Sequence, residues 1–213
     1  LLAALGAAAR GRMQAQLASA RALAQRCGAA AIADLADLVA VLAATGAGDS
    51  AGALALADPL IRAGTAHAAE LPGIAALARM CQLRALFLLG RYPALRAEVP
   101  GLLLAARAAD DRAAQVACGS VAAWLHAVDG DLAAARAEVD ACAAAWTEPP
   151  ERGYSLQHLQ LLVARVNVHL AAGEPREAWA QVEAEGPLFA RSGIRQILPL
   201  QTQAADIAGR AAL

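Results

Sequence analysis

The residues of this chain that could carry chemistry are few and widely spaced. Its four cysteines have no Cys-x-x-Cys pair and no histidine at ligand spacing; they are Cys27, Cys81, Cys118 and Cys142. This spacing argues against a zinc site and favours buried free thiols in a reducing cytosol. All 18 basic residues are arginine, so a lysine Schiff base and a lysine-containing phosphate loop are both excluded. We therefore expect neither a metal nor a cofactor.

Two further polar groups resemble catalytic sets only in isolation. Asp110-Asp111 precedes a helical segment, where an acidic residue usually caps the helix. His158, Arg165 and His169 share one helical face by their spacing. One interpretation is a basic, pH-sensitive stripe; the favoured one is a partly exposed face paired with acids on a neighbouring repeat. Because no nucleophile–base pair or paired-carboxylate site emerges, we expect this segment not to be an enzyme.

Composition points to a helical protein without a polyanionic or membrane partner. Alanine, the best helix former, accounts for 63 of the 213 residues. The net charge is −1 with no long run of either sign, which disfavours nucleic acid. The longest uncharged stretch, Ala113–Val128, is shorter than the ~20 apolar residues that span a membrane. No secretory signal is visible, so we expect a cytoplasmic location.

The elements that position these residues follow a repeat marked by glycine. Four similar turns begin at Gly48, Gly90, Gly130 and Gly173, which are 42, 40 and 43 residues apart. Each glycine follows an apolar helical segment and can close it in the left-handed conformation. A small or apolar residue stands five positions later, where two antiparallel helices must approach closely. The repeat extends toward both ends of the chain, at Gly6 and Gly209.

We call the helix before each turn glycine first-type and the helix after it second-type. The predicted first-type helices are Leu35–Thr45, Ile74–Leu89, Ala113–Val128 and Leu156–Ala172. The predicted second-type helices are Arg10–Arg26, Ser50–Ala63, Pro93–Ala109, Leu132–Trp146 and Pro175–Arg191. Three of the second-type helices contain an internal proline, at which a kink or break is expected: Pro59, Pro100 and Pro187.

These turns resemble those of tetratricopeptide repeats, whose inter-helix turn also reads Gly-Asp/Arg/Glu-Tyr/Leu-x-x-Ala. The period of about 40 exceeds the ~34 of the standard repeat. The segments Gly153–His158, Leu162–Val166 and Ala178–Glu183 are similar to the repeat regions that follow bacterial eukaryotic-like serine/threonine kinase domains. A related resemblance is to the repeat region of large ATP-dependent transcription regulators. The resemblance implies a right-handed α-solenoid of about five antiparallel helix pairs; a HEAT-like array is the alternative.

Tetratricopeptide arrays bind partners in the groove that their first-type helices line. Carried over by counting back from each turn glycine, the resemblance implies nine groove residues: Met80, Arg84, Ser120, Trp124, Gln160, Asn167, Gln196, Gln203 and Asp206. Such a groove would be apolar toward its N-terminal half and rich in amides toward its C-terminal half. It would suit a peptide anchored on Trp124 and hydrogen-bonded by amides. The alternative is that Trp124 fills space between helices and the amides are merely solvated.

These observations predict one all-α helical-repeat domain over residues 1–213, belonging to a larger bacterial signalling protein. The expected function is a protein-interaction or regulatory scaffold that binds a peptide, a partner domain or a neighbouring domain of its own chain. One alternative is a small-molecule sensor of an ATP-dependent transcription regulator, with a pocket around Trp124 and Asn167. Another is a self-associating structural scaffold.

Overall fold

The computed structural model describes residues 10–64 and 74–213. Within these ranges 84% of the residues are helical and no strand occurs, so the prediction of an all-α chain is confirmed. The first five helices are α1 (Arg10–Cys27), α2 (Ala30–Gly46), α3 (Ser50–Gly64), α4 (Ile74–Leu88) and α5 (Tyr92–Ala108). The remaining helices are α6 (Arg112–Val128), α7 (Leu132–Ala145), α8 (Leu156–Ala171), α9 (Pro175–Arg191), a short 3-10 helix (Gly193–Gln196) and α10 (Leu198–Ala211).

Most helix bounds agree with the predicted ones, and the exceptions have local causes. The α2 helix begins five residues before the predicted Leu35, because Gly28 forms an additional turn directly after α1. Helices α3, α5 and α9 continue through their internal prolines, so the predicted breaks do not occur. Gly209 was expected to close a helix, but α10 continues through it to Ala211. The corresponding prediction at Gly6 lies outside the described residues.

One backbone motif builds six of the turns between consecutive helices in the described residues. At Gly130 the amide N–H donates to the carbonyl of Ala127, and the next amide donates to that of His126. This pair of bonds defines a Schellman closure, which requires a positive φ at its central residue. The same pattern recurs at the other three predicted glycines and at two residues outside that set: Gly48, Gly90, Gly173, Gly28 and Asp110. The motif thus closes first-type and second-type helices alike.

The chain divides into two compact units, and unit 1 comprises Leu1–Leu95 with Ile197–Pro199. Its helices α2, α3 and α4 pack on one another, and α1 packs on α2. The core combines long aliphatic side chains such as Leu38, Val41 and Leu60 with small ones at Ala57 and Ala78. The alternation of large and small side chains allows these helices to interdigitate closely.

Unit 2 comprises Arg96–Gln196 with Leu200–Leu213. The α6 helix packs on α7 and on α8, and α8 also packs on α7 and α9. Small side chains dominate where α6, α7 and α8 meet, including the buried Ala123, Ala135 and Ala164. Larger side chains fill the space between α8, α9 and α10, among them Leu162, Val166 and Ile207. The α8 helix is therefore packed on two sides.

The residues five positions after a turn glycine are buried as predicted. Ala53, Leu95, Ala135 and Ala178, the four residues at this position, are each at most 1% exposed. One turn further on, Ala57, Val99 and Val139 are also buried, whereas Val182 is partly exposed and packs at the edge of its cluster. Much of the chain's apolar character thus belongs to helix contacts. Among the described helices none has the length and apolarity needed to cross a membrane.

The cysteines divide into one surface thiol and three buried ones. Cys81, Cys118 and Cys142 are buried free thiols as predicted, whereas Cys27 is exposed because it ends α1 at the surface. Burial raises the pKa of Cys142 to about 12. The Cys142 side chain lies against Gly119 of α6, at a position where an added Cβ would meet its sulfur.

Candidate functional site

The predicted groove residues fall in both units, and two of them are in unit 1. Met80 and Arg84 lie one turn apart on α4 and are partly exposed. The guanidinium of Arg84 donates from Nη2 to the carbonyl oxygen of Pro199 at 3.3 Å. Burial lowers the pKa of this guanidinium. Arg84 therefore takes part in the internal packing of unit 1.

Four predicted groove residues lie on the neighbouring first-type helices α6 and α8 of unit 2. Ser120 and Trp124 lie one turn apart on α6, and both are partly exposed. Gln160 and Asn167 lie two turns apart on one face of α8. Gln160 is partly exposed, and Asn167 is buried with 8% exposure. We call these four residues the α6–α8 polar set.

Three oxygen atoms of the α6–α8 polar set share an unusual state. Ser120 Oγ, Gln160 Oε1 and Asn167 Oδ1 are shielded from solvent, and none has a hydrogen-bond partner within the described parts of the chain. A buried polar group without a partner costs about 1–3 kcal/mol, and buried polar atoms in folded proteins are overwhelmingly paired. These oxygens can all accept a hydrogen bond. The set therefore offers acceptors that an incoming donor would satisfy.

Helix register places Ser120 of α6 alongside the segment of α8 that bears Gln160 and Asn167. Val116 of α6 and Leu161 of α8 belong to one core cluster, and Ala123 of α6 shares a second cluster with Ala164 of α8. Ser120 lies between the two α6 positions, so it stands level with the segment of α8 between Gln160 and Asn167. The repeat spacing of 43 residues between Gly130 and Gly173 makes Trp124 and Asn167 equivalent positions. The repeat spacing and the shared core clusters therefore indicate the same alignment of α6 with α8.

The three predicted residues nearest the C-terminus have different surroundings. Gln196 is exposed and ends the 3-10 helix, so it does not belong to a first-type helix. Gln203 is partly exposed on α10. Asp206, also on α10, is exposed and lies 3.7 Å from Arg210 one turn later. Such an exposed pair contributes little to stability.

The stripe of His158, Arg165 and His169 is engaged in internal contacts. The Arg165 guanidinium lies 3.0 Å from Glu185, and His169 Nδ1 lies 2.8 Å from Glu174. The Glu174 carboxylate accepts hydrogen bonds from His169 and Arg136, and these bonds, the one from His169 above all, lower its pKa. Glu174 stands at the start of α9, the helix that follows α8, and Glu185 lies within it. Pairing with acids is therefore confirmed for Arg165 and His169, but the prediction that these acids lie on a neighbouring repeat is wrong, because α9 is the second-type helix of the same repeat.

His158 has a structural role at the start of α8. Its Nδ1 accepts the backbone N–H of Ser155 at 3.0 Å, so the proton of a neutral ring resides on Nε2. That Nε2 lies 2.8 Å from the carbonyl oxygen of Glu148. The ring stacks on Tyr154 and meets Trp146 edge-on. His158 therefore links the loop of residues 147–155 to α8.

The acidic pair before α6 acts as a cap, as predicted. The Asp111 carboxylate accepts the backbone N–H of Ala114 at 3.0 Å. Asp131 makes the equivalent bond to Ala134 at the start of α7. Asp110 occupies the left-handed turn position, with φ of 49°. The spacing of the glycines does not reveal this turn, because its left-handed residue is an aspartate.

Each unit also has an open cleft that the sequence did not predict. In unit 2 a cleft of about 330 Å³ lies between the 147–155 loop and the end of α9, with Tyr154, Leu188 and Arg191 among its lining residues. In unit 1 a cleft of about 310 Å³ has a floor of α2 alanines. Neither cleft is lined by Trp124 or Asn167, around which the small-molecule alternative expected a pocket. Pro150 and Glu151 of the 147–155 loop also line the unit 2 cleft.

The described residues contain no cluster of three or more His, Cys, Asp or Glu side chains that could hold a metal ion. Comparisons with protein-family models, with curated proteins and with solved structures find no match to this chain. The structural class of this protein is therefore an all-helical chain with repeated Schellman turns, and its distinguishing feature is the α6–α8 polar set.

Proposed function

We propose that this chain is a helical-repeat binding module, acting by recognition and not by catalysis. In this proposal its helix pairs form a right-handed, tetratricopeptide-like solenoid of about five pairs with a period of about 40. The sequence of the turns and the burial of the residues five positions after each turn glycine support it, whereas the period of about 40 is the feature that a HEAT-like array would share. The module belongs, in this proposal, to a cytoplasmic bacterial signalling protein. The support for this is the resemblance of the turns and of the α8–α9 segments.

The binding surface that we propose is the α6–α8 face, and its ligand is a peptide segment of a partner protein or domain. The observation that carries this proposal is the set of three solvent-shielded, unpartnered oxygens on two adjacent first-type helices, beside a partly exposed tryptophan. A partner can satisfy these acceptors and cover the indole in one step. Buried tryptophans commonly dominate the energy of such contacts.

Selection from a random-peptide display library on the immobilised chain tests this proposal. Peptides enriched on the wild type are expected to bind Trp124→Ala at least about tenfold more weakly, the usual loss for a central aromatic anchor. Trp179→Ala is the matched control, because Trp179 is 37% exposed on the second-type helix α9. It should bind as the wild type does.

Two results would contradict the proposal: no enriched peptide, or equal losses in the two tryptophan variants. Thermal unfolding of each variant shows whether Trp124→Ala retains its fold. If it does not, Ser120→Ala replaces it, because removal of the shielded, unpartnered Ser120 hydroxyl breaks no hydrogen bond within the described residues. Binding by this variant should also be weaker than that of Trp179→Ala.

A further inference from the structure

The chemistry of the α6–α8 polar set restricts the kind of group that can bind it. We infer that this site takes uncharged hydrogen-bond donors, namely the amide N–H groups of a peptide, and discriminates against carboxylate or phosphate groups. The inference rests on the proposed peptide-binding function and specifies the ligand chemistry of the same face. Its basis is the arrangement of acceptors and the distribution of charge around them.

The acceptors are oxygen atoms that no described donor satisfies. Gln160 Oε1 and Asn167 Oδ1 are carbonyl oxygens, and Ser120 Oγ has two lone pairs besides its own proton. An anionic ligand could accept from the Ser120 hydroxyl and from the side-chain NH2 groups, but it has no donor for the Gln160 and Asn167 oxygens, which would stay unpaired. An amide N–H supplies the missing donor. Ser120 and Gln160 are partly exposed as residues and Asn167 is 8% exposed, but the three oxygens themselves are shielded from solvent.

Charge around the site is low along both helices. After its first residue, Arg112, the α6 helix contains no Asp, Glu or Arg residue as far as Asp129. On α8 the one arginine, Arg165, is held 3.0 Å from Glu185 of α9. A charged group buried against this face would find no described counter-charge there, and burying an unpaired charge is far more costly than burying a hydrogen-bonded neutral group. An uncharged donor is therefore the favoured ligand group.

The first test uses a peptide from the display selection. Each of its backbone amides is methylated in turn, which removes one donor and changes no charge. At least one N-methylation is expected to weaken binding to the wild type about tenfold, as the loss of a buried hydrogen bond does. The same N-methylation should have little further effect on Asn167→Ala or on Ser120→Ala, since the acceptor is already absent. Gln181→Ala, an amide variant on α9, is the control and should retain the full loss.

A flat N-methyl scan on a peptide that still depends on Trp124 would overturn this inference and leave the proposed function standing. A loss of the same size in Asn167→Ala and Ser120→Ala would overturn it as well. Failure to select any peptide would instead contradict the proposed function. The two failures are therefore distinguishable.

A second test needs no selected peptide. Acetamide, N,N-dimethylacetamide and acetate are titrated separately into ¹⁵N-labelled protein, and the side-chain amide signals of Asn167 and Gln160 are followed by NMR. Acetamide should shift these signals saturably, while dimethylacetamide, which has no N–H, and acetate should not. Equal shifts with acetate would overturn the inference. Absence of any shift would also overturn it, because a site that takes uncharged donors should respond to this primary amide.

Discussion

Replacing Gly119 with alanine tests the close approach of α6 to α7. A Cβ at this position would lie less than 3.0 Å from Cys142 Sγ, while Glu138 Oε2 and Leu103 Cδ1 would stay at ordinary distances of 3.7 and 3.9 Å. Attractive packing needs about 3.5–4.0 Å between heavy atoms. Either α7 must move away or the Cys142 side chain must leave its rotamer. Both responses disturb a buried contact.

The expected size of the effect is the difference of two opposing contributions. Overpacking a core position costs about 1–3 kcal/mol, and an overlap of this size with a buried sulfur belongs at the upper end. Alanine in place of glycine inside a helix contributes about 1 kcal/mol in the opposite direction. We therefore expect Gly119→Ala to lower the free energy of unfolding by about 2 kcal/mol.

Gly101→Ala is the matched control in α5. Nothing lies within 4 Å of a Cβ added to Gly101, so this substitution should raise the free energy of unfolding by up to about 1 kcal/mol. Urea unfolding followed by far-UV circular dichroism measures both variants. The opposite signs separate the steric effect at Gly119 from general helix propensity.

Cys142→Ala completes a double-mutant cycle with Gly119→Ala. Removal of the sulfur opens the space that the new methyl group needs and leaves the gain in helix propensity, so the double variant should be about 3 kcal/mol more stable than additivity predicts. Additive effects, or a Gly119→Ala variant as stable as Gly101→Ala, would refute the assignment of this close contact.

Further predictions concern thiols, turns and the α8 cap. In the folded chain Cys27 should react rapidly with a thiol reagent, and the buried Cys142 only after unfolding. The Cys142 thiol has a pKa of about 12 in the folded chain, against 9.0 for the free group. Its contribution to stability is therefore complete below pH 9 and declines as the pH rises toward 12. Urea titrations of wild type and Cys142→Ala across this pH range measure the difference in stability. Asp110 and Gly130 both have a positive φ, which only glycine adopts without strain. Asp110→Gly should therefore stabilise the chain by up to about 1 kcal/mol, and Gly130→Ala should destabilise it by about 1–2 kcal/mol. Thermal unfolding checks both signs. His158→Leu removes two hydrogen bonds and should accelerate amide exchange in residues 147–155, measured by mass spectrometry; unchanged exchange there would contradict the structural role of this ring.

Sequence spacing predicts much of the local structure because its causes are local. A glycine after an apolar run marks a Schellman closure, and an aspartate one residue later marks the cap of the next helix, as at Gly130 and Asp131. Asp110 shows the limit of this signal, because a non-glycine residue adopts the same left-handed conformation there. Gly209 shows the opposite limit, since a glycine inside a helix need not end it.

The candidate site was only partly predictable for a different reason. Helical spacing assigns Gln160 and Asn167 to one face of α8, but it does not determine how deeply each side chain is buried. That depth depends on the distance between α6 and α8, which results from the small side chains packed between them, such as Ala123 and Ala164. The unpartnered state of the three oxygens is therefore a property of the packing, and no residue pattern indicates it.

The close contact and the proposed binding face are physically connected through consecutive residues of α6. Gly119 lies against Cys142 of α7, and Ser120 carries one of the unpartnered oxygens of the α6–α8 polar set. Gly119 and Ser120 lie on different faces of the helix, because consecutive residues point about 100° apart. They are nevertheless consecutive in one helix, so a displacement of α6 at Gly119 also moves Ser120. A side chain larger than glycine at position 119 should therefore weaken peptide binding as well as stability, and Cys142→Ala should restore both. Restoration of stability without restoration of binding would show that the two faces of α6 are independent.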